Sequence, residues 1–236
     1  MTTNAPKIVT RDEWLDARRT LLRAEKELTH QRDRVSEARR ALPWVRVEKP
    51  YVFERASGKA TLAELFDGKS QLVVYHFMFA PDWEAGCKSC SFWADNFERN
   101  VVHLAHRDVK MMAVSRAPRE KLAAFAARLG WTFDWASSGD STFNYDFHVS
   151  FTPEELASGE VDYNFVRAKP YGPTDLPGIS VFAKDATGAV FHTYSTYGRG
   201  VEQINAAYHT LDLVPKGRDE GGKGMAWLRL RDRYED

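Results

Sequence analysis

Two continuous apolar runs mark the middle of the chain. Residues 71–79 read QLVVYHFMF and residues 108–115 read DVKMMAVS. Runs of this length, rich in β-branched and aromatic residues, are typical of strands buried on both faces of a sheet. Residues 118–130, PREKLAAFAARLG, have Pro at the start and Gly at the end, which predicts a helix after the second strand.

The other segments predict shorter elements around this centre. Residues 179–195, ISVFAKDATGAVFHTYS, place turn formers from Asp185 to Gly188 between two β-rich runs and predict a hairpin. The remaining expectations are a strand in YVFE (51–54), a turn and short helix in SGKATLAELF (57–66), a strand in WTFDWAS (131–137), loops with short elements over 137–178, a helix in VEQINAAYHTLDL (201–213), a flexible linker in PKGRDEGGKG (215–224) and a short C-terminal helix in MAWLRLRDRYED (225–236).

The N-terminal part of the chain has a different pattern. Residues 10–42 contain no Gly or Pro and are dense in Ala, Leu, Arg and Glu, which are strong helix formers. Thr10 followed by Glu13 is typical of a capping box, and Pro43 ends the run. The sequence predicts one long helix, or two helices with a break at residues 29–30.

An apolar stripe with loose spacing runs along this helix, flanked by charges. It consists of Trp14, Leu21, Leu22, Leu28, Val35 and Leu42. One interpretation is a solvated helix packed on the rest of the domain, and charges beside every apolar residue favour it. The other interpretation is a dimer arm, because the stripe exceeds what a capping helix needs. We expect a homodimer from it.

The order of elements predicts the fold class. Strands alternating with helices indicate an α/β sheet covered on both faces, and the final hairpin makes the sheet mixed. This is the order of a thioredoxin-like fold of the peroxiredoxin-like variant, with a long N-terminal helix. We expect a helical extension over 1–43, the thioredoxin-like domain over 44–214, and a linker with a short helix over 215–236.

Composition narrows the classes of function. Of the 236 residues, 43% are hydrophobic and 28% charged, with a formal net charge of +0. A neutral chain favours neither nucleic acid nor anionic lipid as a partner. No apolar stretch approaches the ~20 residues that span a bilayer, and the start, MTTNAPKIVTRDEW, lacks the pattern of a secretory signal. We therefore expect a cytoplasmic protein without membrane or nucleic-acid partners.

The only two cysteines of the chain, Cys87 and Cys90, directly follow the first apolar run. A junction from strand to helix places Cys87 at a helix N-terminus, where backbone N–H groups and the helix dipole favour a thiolate. Lys88 adds a positive charge beside it. Cys90 lies on a stripe with Trp93 and Phe97, the expected buried face. The dithiol Cys87-Lys88-Ser89-Cys90 therefore predicts disulfide exchange, with Cys87 as nucleophile and Cys90 as resolving cysteine.

Two other interpretations compete with redox chemistry. A structural disulfide across three residues closes a very small loop and contributes little stability. A zinc site needs about four ligands, so His103 and His106 would have to complete the pair. No second cysteine pair exists, and we expect neither a metal nor another cofactor.

Several side chains near the dithiol are candidates for support or for substrate contact. Asp82 and Glu84 precede it and are candidate proton acceptors for Cys90, although loop carboxylates are common. Trp83, with Lys88, is a candidate substrate contact.

Two arginines are candidates for electrostatic support. Arg116 follows the end of a strand, where open α/β sheets place their sites, and is a candidate partner of a thiolate or oxyanion. Arg199 is a second candidate for that role.

Leu176 and Pro177 directly precede the first strand of the hairpin. In thioredoxin-like folds a proline here lies opposite the dithiol, usually in the cis form, although only ~5–6% of X-Pro bonds in folded proteins are cis. We expect the Leu176–Pro177 bond to be cis, to lie against Cys87, to expose backbone to an extended substrate and to keep metal from the sulfurs. A trans bond would contradict this substrate groove and favour a sensing module.

The sequence also resembles a known family. The segments are PDWEAGCKSCSFWADNF (81–97), HLAHRDVKMMAVSRAP (103–118), GWTFDWASS (130–138), LPGISVFAKD (176–185) and FHTYSTYGRG (191–200). Together they resemble an uncharacterised thioredoxin-like family, the domain of unknown function eight-nine-nine, from about Val9 to the C-terminal WLRLRDRYE. The resemblance implies the thioredoxin-like fold and predicted dithiol-disulfide oxidoreductase activity.

Residues 111–137 are also similar to peroxiredoxins and membrane-anchored thiol reductases. Peroxiredoxins carry Thr-Pro-x-x-Cys, whereas here Pro81 lies six positions before Cys87 and no Thr precedes it.

Three hypotheses of function follow. The first is a dithiol-disulfide oxidoreductase that acts on a protein or small-molecule disulfide and is returned by a thiol reductant. The second is a thiol peroxidase, in which Cys87 is oxidised to the sulfenic acid and Cys90 condenses with it. The third is a non-catalytic binding or redox-sensing module. A Cys87 pKa near the ordinary ~8.5 would favour this module over both enzymes.

Overall fold

The structure, a computed structural model, describes residues 6–235, and the chain divides after Pro43 into two compact units. The second unit includes residues 215–235, for which the sequence predicted a linker and a separate helix. Residues 1–5 and 236, at the ends of the predicted extensions, lie outside the described residues.

The first unit contains one helix, α1 (Arg11–Arg40), with no break at residues 29–30. Its capping box is confirmed, because Glu13 N–H donates to Thr10 and the Glu13 side chain accepts from the Thr10 backbone. None of its residues is buried. The stripe is more regular than expected, since Trp14, Leu21, Leu28 and Val35 follow one another at intervals of seven and are 37–55% exposed.

The second unit is built on an eight-stranded mixed sheet. Its strand order is β1-β10-β9-β4-β5-β6-β2-β3, with β4, β5 and β6 parallel and the other pairs antiparallel. The strands are β1 (Val45–Arg46), β2 (Val52–Arg55), β3 (Gly58–Thr61), β4 (Gln71–His76), β5 (Val109–Ser115), β6 (Trp135–Ser137), β9 (Gly178–Lys184) and β10 (Val190–Tyr197), while β7 (Val161–Tyr163) and β8 (Val166–Ala168) form a separate hairpin.

Short helices connect these strands. They are α2 (Lys88–Phe97), α3 (Val101–Ala105), α4 (Arg119–Leu129), α5 (Phe143–Asp146), α6 (Pro153–Ser158) and α7 (Ala206–Leu211). Gly130 ends α4 in the left-handed conformation, as the sequence predicts. A strand-helix arrangement around a mixed sheet, with the long N-terminal helix, is the predicted thioredoxin-like fold of the peroxiredoxin-like variant.

Alternation along β4 divides the core between the two faces of the sheet. Tyr75 and, just beyond the strand, Phe77 belong to the core cluster that includes Cys90 and α4. Leu72 and Val74 belong to a second cluster with Phe143 of α5. The dithiol therefore lies over one face of a strand that is buried on both sides.

His76 of β4 is a packed core residue rather than part of a catalytic group. Its ring is buried beside Phe147, and burial lowers its pKa to about 3, so the imidazole is neutral. His76 Nε2 lies 2.8 Å from the Ser180 hydroxyl, which continues a chain of hydrogen bonds through Ser195 to His192. This polar chain joins the central strands and is not part of the dithiol site.

Three predicted elements differ from the sequence expectation. Gly58–Thr61 pairs with β2 as an edge strand, and only Glu64–Phe66 behind it is helical, as a 3-10 turn. The helix predicted over 201–213 is a 3-10 helix followed by α7, because Asn205 caps a new helix start with its side chain. The predicted C-terminal helix is wrong: the segment forms two 3-10 turns, in which fully buried Leu228 adopts an extended conformation.

Candidate active site

The loop between β4 and α2 fixes the position of the dithiol. The Cys87 N–H donates to the Met78 carbonyl at 3.1 Å, which ties the end of the loop to its beginning. Gly86 leaves no space for a side chain, because an added Cβ would lie 2.8 Å from the Phe77 ring and 2.9 Å from the Phe125 ring. Aromatic packing under the loop thus requires glycine immediately before Cys87.

Cys87 is the N-cap residue of α2, as the strand-to-helix junction predicts. Its side chain is half-buried, whereas Cys90 is 2% exposed and belongs to the core. The predicted buried stripe of Cys90, Trp93 and Phe97 is confirmed. The two thiols therefore differ in access, because one lies at the helix end and the other lies one turn inside it.

The surroundings of Cys87 favour its thiolate. The pKa of Cys87 is lowered to about 6, and the largest cause is a hydrogen bond from the Cys90 thiol, which outweighs the opposing effect of burial. The backbone N–H groups of Cys90 and Ser89, at the open end of α2, contribute to the same lowering. At neutral pH the accessible sulfur is thus mainly ionised.

The surroundings of Cys90 favour its neutral thiol. Burial raises the pKa of Cys90 well above its ordinary value, and the neighbouring negative Cys87 raises it further. Two donors act in the opposite direction: the Met78 N–H, 3.5 Å from Cys90 Sγ, and the Tyr75 hydroxyl. Burial raises the pKa of Tyr75 as well, so this phenol remains a donor at any physiological pH.

A cavity of about 350 Å³ opens beside both sulfurs. Its walls are mostly apolar and come from β4, α2, the start of β9, the 3-10 helix after β10 and the C-terminal segment. The lining residues are Tyr75, Met78, Cys87, Ser89, Cys90, Trp93, Pro177, Gly198, Arg199, Val201, Glu202 and Met225. A small reactant in this space would contact Cys87 without displacing the core.

Four candidates near the dithiol do not line this cavity. Asp82 and Glu84 are exposed loop carboxylates, and neither affects the pKa of Cys90. Trp83 is half-buried against the core cluster. Lys88 donates to the Ala226 carbonyl at 3.4 Å and is not among the main causes of the lowered Cys87 pKa.

Arg116 faces another partner. Its guanidinium makes two hydrogen bonds to Asp175, at 2.7 and 2.9 Å, and a third to the Tyr145 hydroxyl. It lines a separate cavity with Lys49 and Pro81 at the carboxyl ends of β5 and β6. Its charge is therefore used by a buried carboxylate rather than by Cys87.

Arg199 does line the dithiol cavity, at its rim. Its side chain is 86% exposed and pairs with Glu202 at 3.0 Å. The structure thus brings Arg199 to the mouth of the site, with its charge partly balanced by a neighbouring carboxylate.

The cis peptide predicted at Leu176–Pro177 is wrong, because the described residues contain no cis peptide bond. Pro177 nevertheless lines the dithiol cavity, while its carbonyl accepts a hydrogen bond from Tyr163 at 2.7 Å. Leu176 is buried in a third core cluster behind it. With the carbonyl occupied and Leu176 turned inward, the expected backbone groove for an extended substrate is not formed here.

Sequence reasoning missed several residues of the site, among them Tyr75, Met78 and Met225. Tyr75 and Met78 lie in the apolar run before the dithiol. In such a run the sequence does not distinguish residues that line a cavity from residues that only pack in the core. Met225 lies in a segment expected to be a separate helix. For Tyr75 a usable signal existed, since a phenol in a buried strand needs a polar partner and the thiols follow directly.

Two further features of the described residues bear on metal binding and membrane insertion. Within residues 6–235, no group of three or more His, Cys, Asp or Glu side chains could hold a metal ion, and His103 and His106 do not join the cysteines. Across the same residues, none of the helices combines the length and the apolar character needed to cross a bilayer.

Two of the solved structures that match this chain are peroxiredoxins. One is a mutant of peroxiredoxin Q from Xanthomonas campestris, with 14% identity and a TM-score of 0.47 over 72% of this chain and 98% of that chain. The other is peroxidoxin BcpB from Mycobacterium tuberculosis, with 15% identity and a TM-score of 0.45 over 70% of this chain and 94% of that chain. No curated protein matches the sequence.

A family match covers nearly the whole chain. It includes residues 3–234, and thus both units, the dithiol and the C-terminal segment that walls the cavity. The resemblance of the five sequence segments is thereby confirmed, and the chain belongs to the family described as "Bacterial protein of unknown function (DUF899)".

Proposed function

We propose that this protein is a cytoplasmic dithiol-disulfide oxidoreductase, with Cys87 as nucleophile and Cys90 as resolving cysteine. The observation that carries the proposal is the opposite shift of two neighbouring thiols. The pKa of Cys87 is lowered to about 6 at the helix end, whereas burial raises that of Cys90. An accessible thiolate beside a protected thiol is what a two-step exchange requires.

In the first step the Cys87 thiolate attacks one sulfur of a substrate disulfide. A bond forms between Cys87 and that sulfur, the substrate S–S bond breaks, and the released thiolate takes a proton from water. Both sulfurs border the cavity, but Cys90 is only 2% exposed, so a reactant reaches the more exposed and ionised Cys87 first. The first step is therefore expected at Cys87 only.

In the second step Cys90 gives its proton to water and attacks the Cys87 sulfur of the mixed disulfide, so that the Cys87–Cys90 bond forms and the bond from Cys87 to the substrate breaks. The Tyr75 hydroxyl and the Met78 N–H donate to Cys90 and stabilise the thiolate as it forms. The second substrate thiol leaves. Two electrons have then passed from the two cysteines, now joined as a disulfide, to the substrate. A thiol reductant returns the pair to the dithiol.

Single cysteine variants test this order of events. With a small disulfide such as oxidised glutathione, Cys90→Ser is expected to accumulate a mixed disulfide at Cys87, detected by intact mass spectrometry. Cys87→Ser is the matched control and is expected to stay unmodified. Equal behaviour of the two variants would contradict the assigned roles.

Two observations bear on the hypothesis of a non-catalytic sensing module, one in its favour and one against it. The trans Leu176–Pro177 bond removes the expected substrate groove and favours the module. The Cys87 pKa of about 6 favours a catalytic role, because strongly shifted pKa values cluster at catalytic sites. We give the second more weight, since it concerns the reacting atom itself.

The thiol peroxidase remains an alternative with the same nucleophile. Of the two arginines considered for the departing hydroxide, Arg116 is held by Asp175 and only Arg199 lines the cavity. Tryptophan fluorescence on addition of hydrogen peroxide distinguishes the two activities. A rate no faster than that of a free small thiol eliminates the peroxidase.

We also propose that the protein is a homodimer joined through α1. A helix of 30 residues with no buried residue lacks the tertiary packing that stabilises most helices. Apolar residues at intervals of seven are the pattern with which helices pair in coiled coils. Light scattering at micromolar concentration is expected to give the mass of a dimer, and a monomer would contradict the proposal.

A further inference from the structure

Sulfur side chains converge on the dithiol cavity. The chain has two cysteines and five methionines, and four of these seven side chains line this one cavity of about 350 Å³: Met78, Cys87, Cys90 and Met225. They come from three separate parts of the chain, the loop after β4, the start of α2 and the C-terminal segment. The convergence is thus a product of the fold rather than of a local sequence motif.

Direct contacts hold both methionine segments to the dithiol. The Met78 N–H lies 3.5 Å from Cys90 Sγ, and its carbonyl accepts from the Cys87 N–H. The segment of Met225 is attached through Ala226, whose carbonyl accepts from Lys88 inside the same turn of α2. Met225 remains 37% exposed, so its thioether can adjust toward the cavity.

The remaining walls offer little to a hard cation. Tyr75, Trp93, Pro177 and Val201 supply mainly apolar surface. The only carboxylate among the lining residues belongs to Glu202, which is already paired with Arg199 and Arg218 at 3.0 and 3.2 Å. Ca²⁺ and Mg²⁺ need several oxygen ligands, whereas thiolates and thioethers select soft metals.

We propose that this cavity is a Cu(I) site, in which the Cys87 and Cys90 thiolates bind the ion and the thioethers of Met78 and Met225 complete a sulfur-only coordination. Binding forms Cu–S bonds without electron transfer. Both cysteines bind as thiolates, and any thiol proton that the ion displaces passes to water. Copper occupancy and disulfide exchange use the same sulfurs and exclude each other.

The site does not depend on the proposed oxidoreductase activity. A protein that binds Cu(I) but exchanges no disulfide would refute only the proposed function. A protein that exchanges disulfides but does not bind Cu(I) through its methionines would refute only the copper site. The two proposals therefore fail separately.

A competition titration tests the site. The fully reduced full-length chain is titrated with Cu(I) without oxygen, against the chromogenic chelator bathocuproine disulfonate. We expect one ion per chain, with affinity reduced at least about tenfold in Met225→Leu and in Met78→Leu. Met111→Leu is the matched control, because Met111 is buried in the same core cluster but does not line the cavity, and it is expected to bind as the unaltered chain does.

Three results would overturn the site. The first is an affinity no higher than that of the Cys87→Ser, Cys90→Ser double variant. The second is an unchanged affinity in both cavity methionine variants, which would mean that the two cysteines bind the ion without the methionines. The third is a nitrogen or oxygen shell around copper in X-ray absorption spectra, where we expect sulfur alone. Circular dichroism of each variant verifies that the leucine replacements leave the fold intact.

Discussion

Helices α1 and α2 are stabilised in opposite ways. The 30-residue α1 buries no side chain and is supported by its capping box and by exposed ion pairs such as Arg18–Glu25. The 10-residue α2 buries half of its residues, has no side-chain cap, and begins at a reactive cysteine. Length and intrinsic propensity form the first helix, whereas tertiary packing forms the second.

The difference explains where chemistry is located. A helix whose start is capped by a Ser or Thr side chain has its N–H groups satisfied, as Thr10 does for α1. At α2 the first N–H groups are left for the Cys87 sulfur, and burial of Trp93 and Phe97 holds the helix in place instead. Packing thus replaces capping where the helix end must serve a thiolate.

The largest expected effect comes from the packed side of this comparison. Phe97→Ala removes a ring that is 2% exposed and contacts Tyr75 and Phe133, and is expected to lower the free energy of unfolding by about 3–5 kcal/mol. Lys26→Ala, at an exposed position of α1 outside the apolar stripe, is the control, with an expected change of less than about 0.5 kcal/mol in the main transition. Urea denaturation followed by tryptophan fluorescence measures both, and similar losses would show that α1 is also held by packing.

A second prediction concerns the pH dependence of Cys87. Iodoacetamide is expected to react with a half-maximal rate near pH 6, and Lys88→Ala to leave this value unchanged, because the cause is hydrogen bonding by Cys90 and Ser89. The lowered pKa also stabilises the fold. That contribution is fully present above the ordinary thiol pKa of ~8.5 and is lost as the pH falls through about 6. A half-maximal iodoacetamide rate near the ordinary thiol pKa would contradict both the lowered Cys87 pKa and its contribution to stability.

A third prediction separates the two thiols of α2. Tyr75→Phe keeps the ring but removes the hydroxyl that donates to Cys90. Release of the second thiol from the mixed disulfide is expected to slow by about tenfold, since a hydrogen bond to a charged group is worth roughly 1.5–3 kcal/mol. The first step at Cys87 is expected to keep its rate. Stopped-flow measurement of both phases decides, and equal slowing of both would mean general damage to the site.

The last prediction is the smallest and concerns α1. Thr10→Ala is expected to cost about 1 kcal/mol of local helix stability, and Glu27→Gln, which breaks the exposed pair with Arg34, only about 0.3–0.5 kcal/mol. Hydrogen exchange resolves these local losses. Faster exchange is expected in the first turns of α1 for Thr10→Ala and around Glu27 for Glu27→Gln, with α2 unchanged in both. A change in α2 would show that the two helices are energetically coupled.

The sequence predicts the central strand and its dithiol well, because buried strands and short cysteine spacing leave local signals. It predicts the edges poorly. Gly58–Thr61 became a strand through its partner β2, and the C-terminal segment lost its helix because Leu228 inserts into the core. Neither partner is visible from the local pattern.

The same limit applies to the candidate site. Cys87 and Cys90 are found by their spacing, whereas Met225 reaches the cavity only through the fold. Arg116 follows a strand end as predicted, but the buried Asp175 takes its charge. The prediction of a cis bond before Pro177 was wrong for another reason. The same dipeptide is compatible with either isomer, and only its surroundings in the fold decide which isomer forms.

The wall that Met225 adds to the dithiol cavity has a consequence in time. Lys88 and its partner Ala226 are 138 positions apart, so the ribosome makes the dithiol well before the segment that encloses it. Since translation adds about 5–20 residues per second, the interval is roughly 7–28 s. During that period every nascent chain carries an open pair of thiols, which oxidants and chaperones in the cell encounter before the cavity is complete.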